Sequence, residues 1–306
     1  MFDLSSPSED RPIPLQQSAV FNDALPRLGI SVVVHAFAGG RAAVMVRRLP
    51  LIGAFGLVSR GPVWDGEPPA RRAEGFAGMR RALGLSCLVV NPERAEDAAA
   101  MRAAGFIRIG RAGRVAMLPL DGGPSDWIGR MDGKWRNRLR RAQGADLVAE
   151  RHDFSPQGGH WLFDRDRAQQ TARNYRSLPH RVLAEIARGG PGAAQLFLAR
   201  RGREVVAAML FLRHGTMATY QVGWSSPQGR SASAHNLLMW EAMQALSAQG
   251  IRRIDLGVMD PKRTPGIDRF KTGAGGMVQV LGGTWIDSAV TRPLAPIVAA
   301  LSRRGP

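Results

Sequence analysis

The stretch AQLFLARRGREVVAAMLFLRHGTMATYQVGW, Ala194 to Trp224, decides how the chain reads. Its apolar, β-branched and aromatic runs, 194–200, 204–213 and 216–224, are separated by Arg201-Gly202 and His214-Gly215. Runs of that length and composition between glycine turns predict a three-stranded meander. Downstream the period changes. In AHNLLMWEAMQALSAQG (234–250), Leu238, Met239, Ala242, Ala245 and Leu246 make one helical stripe, with Glu241, Gln244 and Ala248 opposite. Ser233 is placed to cap this helix and Gly250 to end it. IRRIDLGV (251–258) predicts a further strand that stops at Asp260-Pro261, and MVQVLGGTWI (277–286) reads as a final strand.

The same order stands upstream. ISVVVHAF (30–37), AAVMVRRL (42–49) and AFGLVSR (54–60) form a second meander around Gly39-Gly40 and Pro50. A helix-like stretch with Arg71, Arg72, Glu74, Arg80 and Arg81 among its polar positions leads to LSCLVV (85–90), which ends at Asn91-Pro92; a helix stops at Gly105. Asn91-Pro92 and Asp260-Pro261 occupy the same place in the two copies, 169 residues apart. The fold class is α/β (α+β) with mixed sheets, in two tandem domains, 1–128 and 129–306.

The 306 residues are 44% hydrophobic, enough for a sizeable core, and hold no apolar run of the length of about 18 residues that a membrane span needs. The N-terminus MFDLSSPSEDRP lacks the basic and apolar regions of a secretory signal. Cys87 is the single cysteine, so there is no internal disulfide; a buried, inert thiol in a cytoplasmic protein is expected. No HxH, HExxH or GxSxG pattern is present, and no metal site is expected. The formal charge is +17, and of the 42 basic residues only Lys134, Lys262 and Lys271 are lysine. GC-rich coding accounts for arginine over lysine but not for the scarcity of acids. A surface so basic attracts phosphates of nucleic acid, anionic lipid or a nucleotide-bearing substrate. In KWRNRLRRAQ (134–143), Trp135, Leu139 and Ala142 share a helical face, and Lys134, Arg136, Arg138, Arg140 and Arg141 cover the rest: either a solvated face or a phosphate-binding surface. The C-terminal LAPIVAALSRR is amphipathic and suits docking on the protein or lying on an anionic membrane.

Several segments, in order, resemble the FemAB/FemX family of peptidoglycan-bridge aminoacyltransferases and its relatives in the GNAT (acyl-CoA N-acyltransferase) superfamily. They are PLQQSAVFNDAL (14–25), SRGPVWDG (59–66), LVVNPE with AAGF and LPLDG, KWRNRLRRA, HNLLMWEAMQAL (235–246), RRIDLG (252–257) and RFKTGAGG (269–276). The resemblance implies two tandem GNAT-like domains with a substrate cleft between them. It implies transfer of an acyl or aminoacyl group to an amine of a small-molecule, lipid-linked or cell-envelope acceptor. No tightly bound cofactor is implied; acyl-CoA or aminoacyl-tRNA is the co-substrate. The expected place is the cytoplasm, with contact to the inner face of the membrane and to tRNA as open partners, and the oligomeric state is left open.

The resemblance places donor phosphates at the loop Ser225 to Ser233, with Gln228, Gly229, Arg230, Ser231 and Ser233 as contacts and Phe270 beside them. Where the superfamily has Gln/Arg-x-x-Gly-x-Gly/Ala, Ser231 stands three residues after Gln228, a departure that bears on which donor is used. The matching loop of the first copy, RGPVWDGEPP, suits phosphate poorly, so one active copy, the C-terminal one, is expected. Lys271 matches the family's Phe-x-Lys position near the reacting ester, where an ammonium stabilises an oxyanion or a departing oxygen. Tyr220, in mid-strand, is an acid or a structural tyrosine; Asp255, inside IDLGV, is a base or a hydrogen-bonded strand-end carboxylate. Arg60 and Asp65, flanking the Gly-Pro turn, and Arg136 are the acceptor-side candidates. The family's strand-end acid before proline is Asn91 here. The alternative to an enzyme is a degenerate double-GNAT protein that binds RNA or anionic lipid through 134–141.

Overall fold

The computed structural model describes residues 12–51, 53–156, 159–173, 175 and 177–295. Most of the C-terminal amphipathic stretch lies outside them. In chain order the elements are α1 (Ala19–Ala24), β1 (Ser31–Phe37), β2 (Gly40–Leu49), β3 (Gly53–Ser59), β4 (Val63–Trp64), α2 (Arg72–Phe76), α3 (Met79–Ala82), β5 (Cys87–Asn91), α4 (Asp97–Ala103), β6 (Ile107–Gly110) and β7 (Arg114–Pro119). There follow α5 (Pro124–Arg130), α6 (Gly133–Gln143), β8 (Val148–Asp153), α7 (Trp161–Arg173), α8 (His180–Arg188), β9 (Ala194–Arg201), β10 (Glu204–His214) and β11 (Met217–Ser225). The chain ends with α9 (Pro227–Ser231), α10 (Ala234–Ser247), β12 (Arg253–Met259), α11 (Pro265–Gly273), β13 (Met277–Val280) and β14 (Thr284–Ser288).

Among the described residues two compact units result: 16–114 with 279–295, and 115–278 with 12–15. The first sheet has the order β1-β2-β3-β5-β14-β6, with β4 on β2; the second has the order β13-β7-β12-β11-β10-β9-β8. Each meander is antiparallel, and each is joined by a parallel pair, β3–β5 and β11–β12. Helical crossovers connect those parallel strands, as parallel pairing requires. Each sheet also contains a strand from the other half of the sequence. β14 lies between β5 and β6, and β7 lies between β12 and β13. MVQVLGGTWI is therefore two strands and not one. Gly283, at φ +87°, takes a left-handed conformation that an L side chain resists, and the chain leaves one sheet for the other there.

Burial explains the sequence pattern. In the second unit, Phe197, Met209, Phe211, Leu238, Met243, Leu246, Ile254 and Leu256 share one core with Trp135 and Leu139 of α6. The first unit closes on Val44, Val58, Phe76, Leu88, Met101, Phe106 and Trp285. α6 buries Trp135, Leu139 and Ala142 and turns Lys134, Arg138, Arg140 and Arg141 to solvent, as its spacing predicts. Asp132 caps it by accepting from the Trp135 N–H at 2.6 Å. α10 departs from the expected single stripe, since Leu237, Trp240 and Met243 are buried along with Leu238, Met239, Ala242 and Leu246. Ser233 does not cap α10 through its side chain; it sits at φ 57° and makes no capping bond. Cys87 is half-buried rather than buried, and burial pushes its thiol pKa up.

Candidate active site

The two parallel pairs differ where they end. In the first sheet β3 and β5 stay in register from Phe55–Cys87 through Ser59–Asn91. In the second, β11 and β12 are in register only from Met217–Arg253 to Thr219–Asp255, and then they part. Local chemistry on both strands accounts for this. On β11 the register against β10 slips between Leu210–Val222 and Phe211–Tyr220, leaving Gln221 as a bulge residue. A bulge bends its strand and breaks the ladder locally. On β12, Gly257 takes φ +81°, and its N–H is taken by the Asp255 Oδ1 at 2.7 Å. The donor that would have continued the ladder is thus satisfied by a side chain two residues back.

Lys271 comes to the parted end from α11. It is buried, and its Nζ donates to the Val258 carbonyl oxygen at 2.6 Å. A Cβ added at Gly257 would lie 3.9 Å from that Nζ. Burial pulls the Lys271 pKa down; the carboxylates of Asp268 and Asp255 pull it back part of the way. Asp268, one turn earlier on α11, is itself buried, and its Oδ2 has no hydrogen-bond partner among the described residues. Phe270 packs on Trp135 and His235, with ring centroids 6.0 and 6.3 Å away. His235 is bonded to the Trp224 carbonyl oxygen at 2.9 Å, and burial lowers its pKa.

Residues 130–272 match the Acetyltransferase (GNAT) domain family. The fold of the whole chain is similar to the crystal structure of FemX, with a TM-score of 0.74 at 14% identity, over 94% of this chain and 96% of that one. The GNAT match covers that stretch of the chain, and the chain as a whole is FemX-like in fold. It is also similar in fold to the C-terminal domain of a protein described as a lysylphosphatidylglycerol synthetase from Agrobacterium fabrum, with a TM-score of 0.53, 16% identity, and 94% and 93% of the two chains covered. L-PGS from Bacillus licheniformis matches with a TM-score of 0.50, 12% identity, and 94% and 92% covered. No curated protein matches the sequence at a significant level.

In this GNAT domain the loop after β11 is folded into the short helix α9. Ser226 caps it by accepting from the Gly229 N–H at 3.1 Å. The amides of Arg230, Ala232 and Ser233 donate to Ser226, Gln228 and Arg230 carbonyl oxygens. Those donors are bonded within the loop itself. Gly229 is buried, and a Cβ there would meet the Val206 carbonyl oxygen at 2.2 Å. Gln228, Arg230 and Ser231 are exposed; Arg230 reaches the Ser225 carbonyl oxygen at 2.7 Å, and the Ser231 hydroxyl reaches the Gln228 carbonyl oxygen at 2.8 Å.

Tyr220 stands at the first position beyond the β11–β12 pairing, half-buried against Phe211 at 5.4 Å. Burial and the nearby Tyr175 and Asp166 raise the pKa of its hydroxyl, so it stays protonated. Of the acceptor-side candidates, the two arginines are bonded within the fold. Arg60 pairs with both carboxylate oxygens of Glu93, which also accepts from Gln279 at 2.7 Å. Arg136 donates to the Met131 and Ile128 carbonyl oxygens at 2.7 and 3.3 Å, closing the end of α5. Asp65 is exposed beside β4.

One cluster had no signal in the sequence. Asp166 of α7 is buried and accepts from Gln170 at 2.7 Å, Tyr175 at 3.1 Å, Ser177 at 3.5 Å and His180 at 2.7 Å. His180 stacks flat on Phe163, 4.4 Å between centroids. Its members lie in a stretch with no family motif, and only the tertiary fold gathers them. No group of metal-ligating side chains occurs among the described residues, and none of the described helices is long and apolar enough to cross a membrane.

Proposed function

We propose that the chain is an N-acyltransferase whose second unit moves an acyl or aminoacyl group onto an amine. The observation that carries this reading is the difference between the parallel pairs: closed to Asn91 in the first unit, parted beyond Asp255 in the second. Parted strands open the sheet where an extended donor arm would lie, and among the described residues the first unit's β3–β5 pair stays closed to its end. The donor is a CoA thioester in the first instance, since GNAT domains ordinarily use one; an aminoacyl ester of tRNA is the second candidate. The acceptor is the amine of a small molecule or of a lipid-linked or cell-envelope precursor. Kinship in fold with a protein described as a lysylphosphatidylglycerol synthetase supports an acceptor of the envelope. The reaction is placed in the cytoplasm.

In this reading the neutral amine attacks the carbonyl carbon. A C–N bond forms, and the C–S or C–O bond to the donor breaks. Lys271 faces the oxyanion as an ammonium, in a buried setting where a charge interacts more strongly than in water. The Tyr220 hydroxyl gives its proton to the leaving sulfur or oxygen, the proton lost from the amine passes to solvent, and the tyrosinate takes one proton back from solvent. Asp255 holds the turn at Gly257 that keeps β12 away from β11, and so acts by positioning.

The test is mass-spectrometric. The protein is incubated with acetyl-CoA or with alanyl-tRNA and a panel of amines that includes a lysine-containing cell-wall peptide precursor. A mass increase on one acceptor that depends on Lys271 supports the reading. No product with either donor across the panel, or equal turnover by Lys271→Met, sinks it.

A second reading has its own observation. The exposed cations of α6, Lys134, Arg138, Arg140 and Arg141, form no ion pair among the described residues. A protein that binds RNA or anionic vesicles through them, loses affinity steeply with salt and turns over no acyl donor would fit it.

A further inference from the structure

One end of the sheet in the first unit sets apolar side chains in water. β3 and β5 run parallel from Phe55 opposite Cys87, and β14 finishes beside them with Ser288 opposite Cys87. Leu51, in the turn before β3, and Val290, in the turn after β14, therefore stand beyond the same end of the sheet. Only β5 lies between their strands, which places β3 and β14 about 10 Å apart. Leu51 is fully exposed and Val290 is 78% exposed.

Neither turn needs an apolar residue to form. Leu51 takes φ 65°, a left-handed conformation that asparagine and glycine adopt at less cost than leucine. The turn at Val290 is held by its flanking residues. The Ser288 N–H donates to the Thr291 hydroxyl at 2.9 Å, and the Thr291 N–H donates to the Ser288 hydroxyl at 3.1 Å. Burial in the core accounts for neither side chain.

The charges at this end have one sign. Along 46–54, 79–87 and 288–292 the charged residues are Arg47, Arg48, Arg80, Arg81 and Arg292, with no carboxylate. Arg80 pairs with Asp287 at 3.1 Å. Arg47, Arg48 and Arg81 are exposed and form no ion pair among the described residues. The sequence beyond Ala295 has the same mixture: Ile297, Val298 and Leu301, then Arg303 and Arg304. Exposed aliphatic tips among unpaired guanidiniums suit a bilayer with anionic headgroups, where the arginines meet phosphates and the tips enter the boundary of the acyl chains. A nucleic acid would engage the arginines and leave Leu51 and Val290 with nothing to bury them.

We infer that this end of the first unit rests on an anionic lipid bilayer, with Leu51 and Val290 at the boundary of headgroups and acyl chains and Arg47, Arg48 and Arg81 on lipid phosphates. The inference concerns where the chain sits. It does not depend on Lys271 or on the identity of donor and acceptor.

The experiment sediments the full chain with vesicles of phosphatidylcholine alone, and of phosphatidylcholine and phosphatidylglycerol in equal parts, at low and raised salt. Binding is expected to the mixed vesicles only and weakens with salt. Arg47→Gln with Arg48→Gln is expected to lower the affinity about tenfold or more, and Leu51→Asn about fivefold. Asparagine suits the left-handed backbone and the position is exposed, so Leu51→Asn keeps the fold. Arg138→Gln with Arg140→Gln on α6, and Lys271→Met, are expected to bind like the parent. The inference is overturned if mixed vesicles are not bound, if the α6 variant alone loses binding, or if Leu51→Asn binds like the parent, which would leave the contact to the C-terminal stretch. A dimer that forms without lipid and is lost in Leu51→Asn gives the surface to a second copy and overturns it too. Should Lys271→Met keep full transfer while Leu51→Asn loses vesicle binding, the catalytic reading falls and this one stands.

Discussion

The Lys271 ammonium donates to the Val258 carbonyl oxygen at 2.6 Å, on the arm of β12 that has left β11. One backbone carbonyl satisfies one of its three N–H bonds, so the group keeps donors to offer a substrate. Lys271→Met preserves the length of the side chain and removes those donors. Transfer is expected to fall about 10²-fold or more, as when an oxyanion donor is lost, with unchanged far-UV circular dichroism. Rates from the mass-spectrometric assay check this.

The same lysine sets a pH dependence. Burial holds its pKa below the ordinary 10.5, against the opposing pull of Asp268 and Asp255. Between the folded-state pKa and 10.5 the unfolded chain carries a proton that the folded chain has lost. Stability then rises with pH across that window and is flat below it. Thermal unfolding of the parent relative to Lys271→Met should therefore shift in favour of the parent as pH climbs on the alkaline side. Transfer should fall over the same range as the ammonium is lost. A Tm difference independent of pH would show that folding does not shift the pKa of Lys271.

Gly223 and Tyr220 are matched. A Cβ at Gly223 would stand 1.7 Å from the Tyr220 hydroxyl and 2.8 Å from Cζ. The absence of a side chain at 223 is what lets the tyrosine fold back over its own strand. Gly223→Ala is expected to cost about 1–3 kcal/mol, the usual range for overpacking. Tyr220→Phe in the same chain should recover part of it, because the closest atom is removed. A double-mutant cycle by urea denaturation measures the coupling; strict additivity would place the tyrosine elsewhere.

Much of this architecture was legible in the residues. Continuous apolar runs around Arg201-Gly202 and His214-Gly215 became β9, β10 and β11 nearly to the residue, because strands buried on both faces and glycine turns leave local marks. The Asn91 and Asp260 stops did mark equivalent strands. The parted pair was half visible: Asp255-x-Gly257 is a turn signal inside an apolar run, but the bulge at Gln221 depends on register with β10, which a sequence does not contain. The placing of β14 between β5 and β6 left no mark at all, since a strand's partners are set by packing far along the chain. Asp166 was hidden for the same reason, as its donors are gathered by a bend between helices and not by any spacing rule. Arg60 and Arg136, acceptor-side candidates in the sequence, are bonded in the fold, because long guanidinium side chains find carbonyls and carboxylates that only folding brings near.

Asp166 gathers donors from Gln170, Tyr175, Ser177 and His180. Asp166→Ala leaves them facing an apolar gap, at a cost of about 2–4 kcal/mol by denaturant unfolding. Asp166→Asn isolates the electrostatic part. Burial first, and then the Asp166 carboxylate, push the Tyr175 hydroxyl up to about 12. Removing the charge is expected to lower that value without returning it to 10, since burial remains. The chain has 2 tyrosines, so a spectrophotometric titration near 295 nm resolves the change. An unmoved curve would mean that the carboxylate does not face Tyr175.

Trp285 tests whether the C-terminal strand holds the first unit together. It is buried on β14, opposite Val90 of β5 and Arg108 of β6, and its indole N–H donates to the Gly282 carbonyl oxygen at 2.8 Å. Trp285→Ala is expected to cost about 3–5 kcal/mol from lost burial and the cavity left behind. Ending the chain after Val278 is the harsher change, because it removes β14 and strips β5 and β6 of the strand between them. The second sheet keeps β7, β12, β11, β10, β9 and β8 in that truncated chain. Hydrogen exchange should then show amides of 87–110 losing protection while those of 194–225 keep theirs. Equal loss in both regions would show that the two sheets unfold as one.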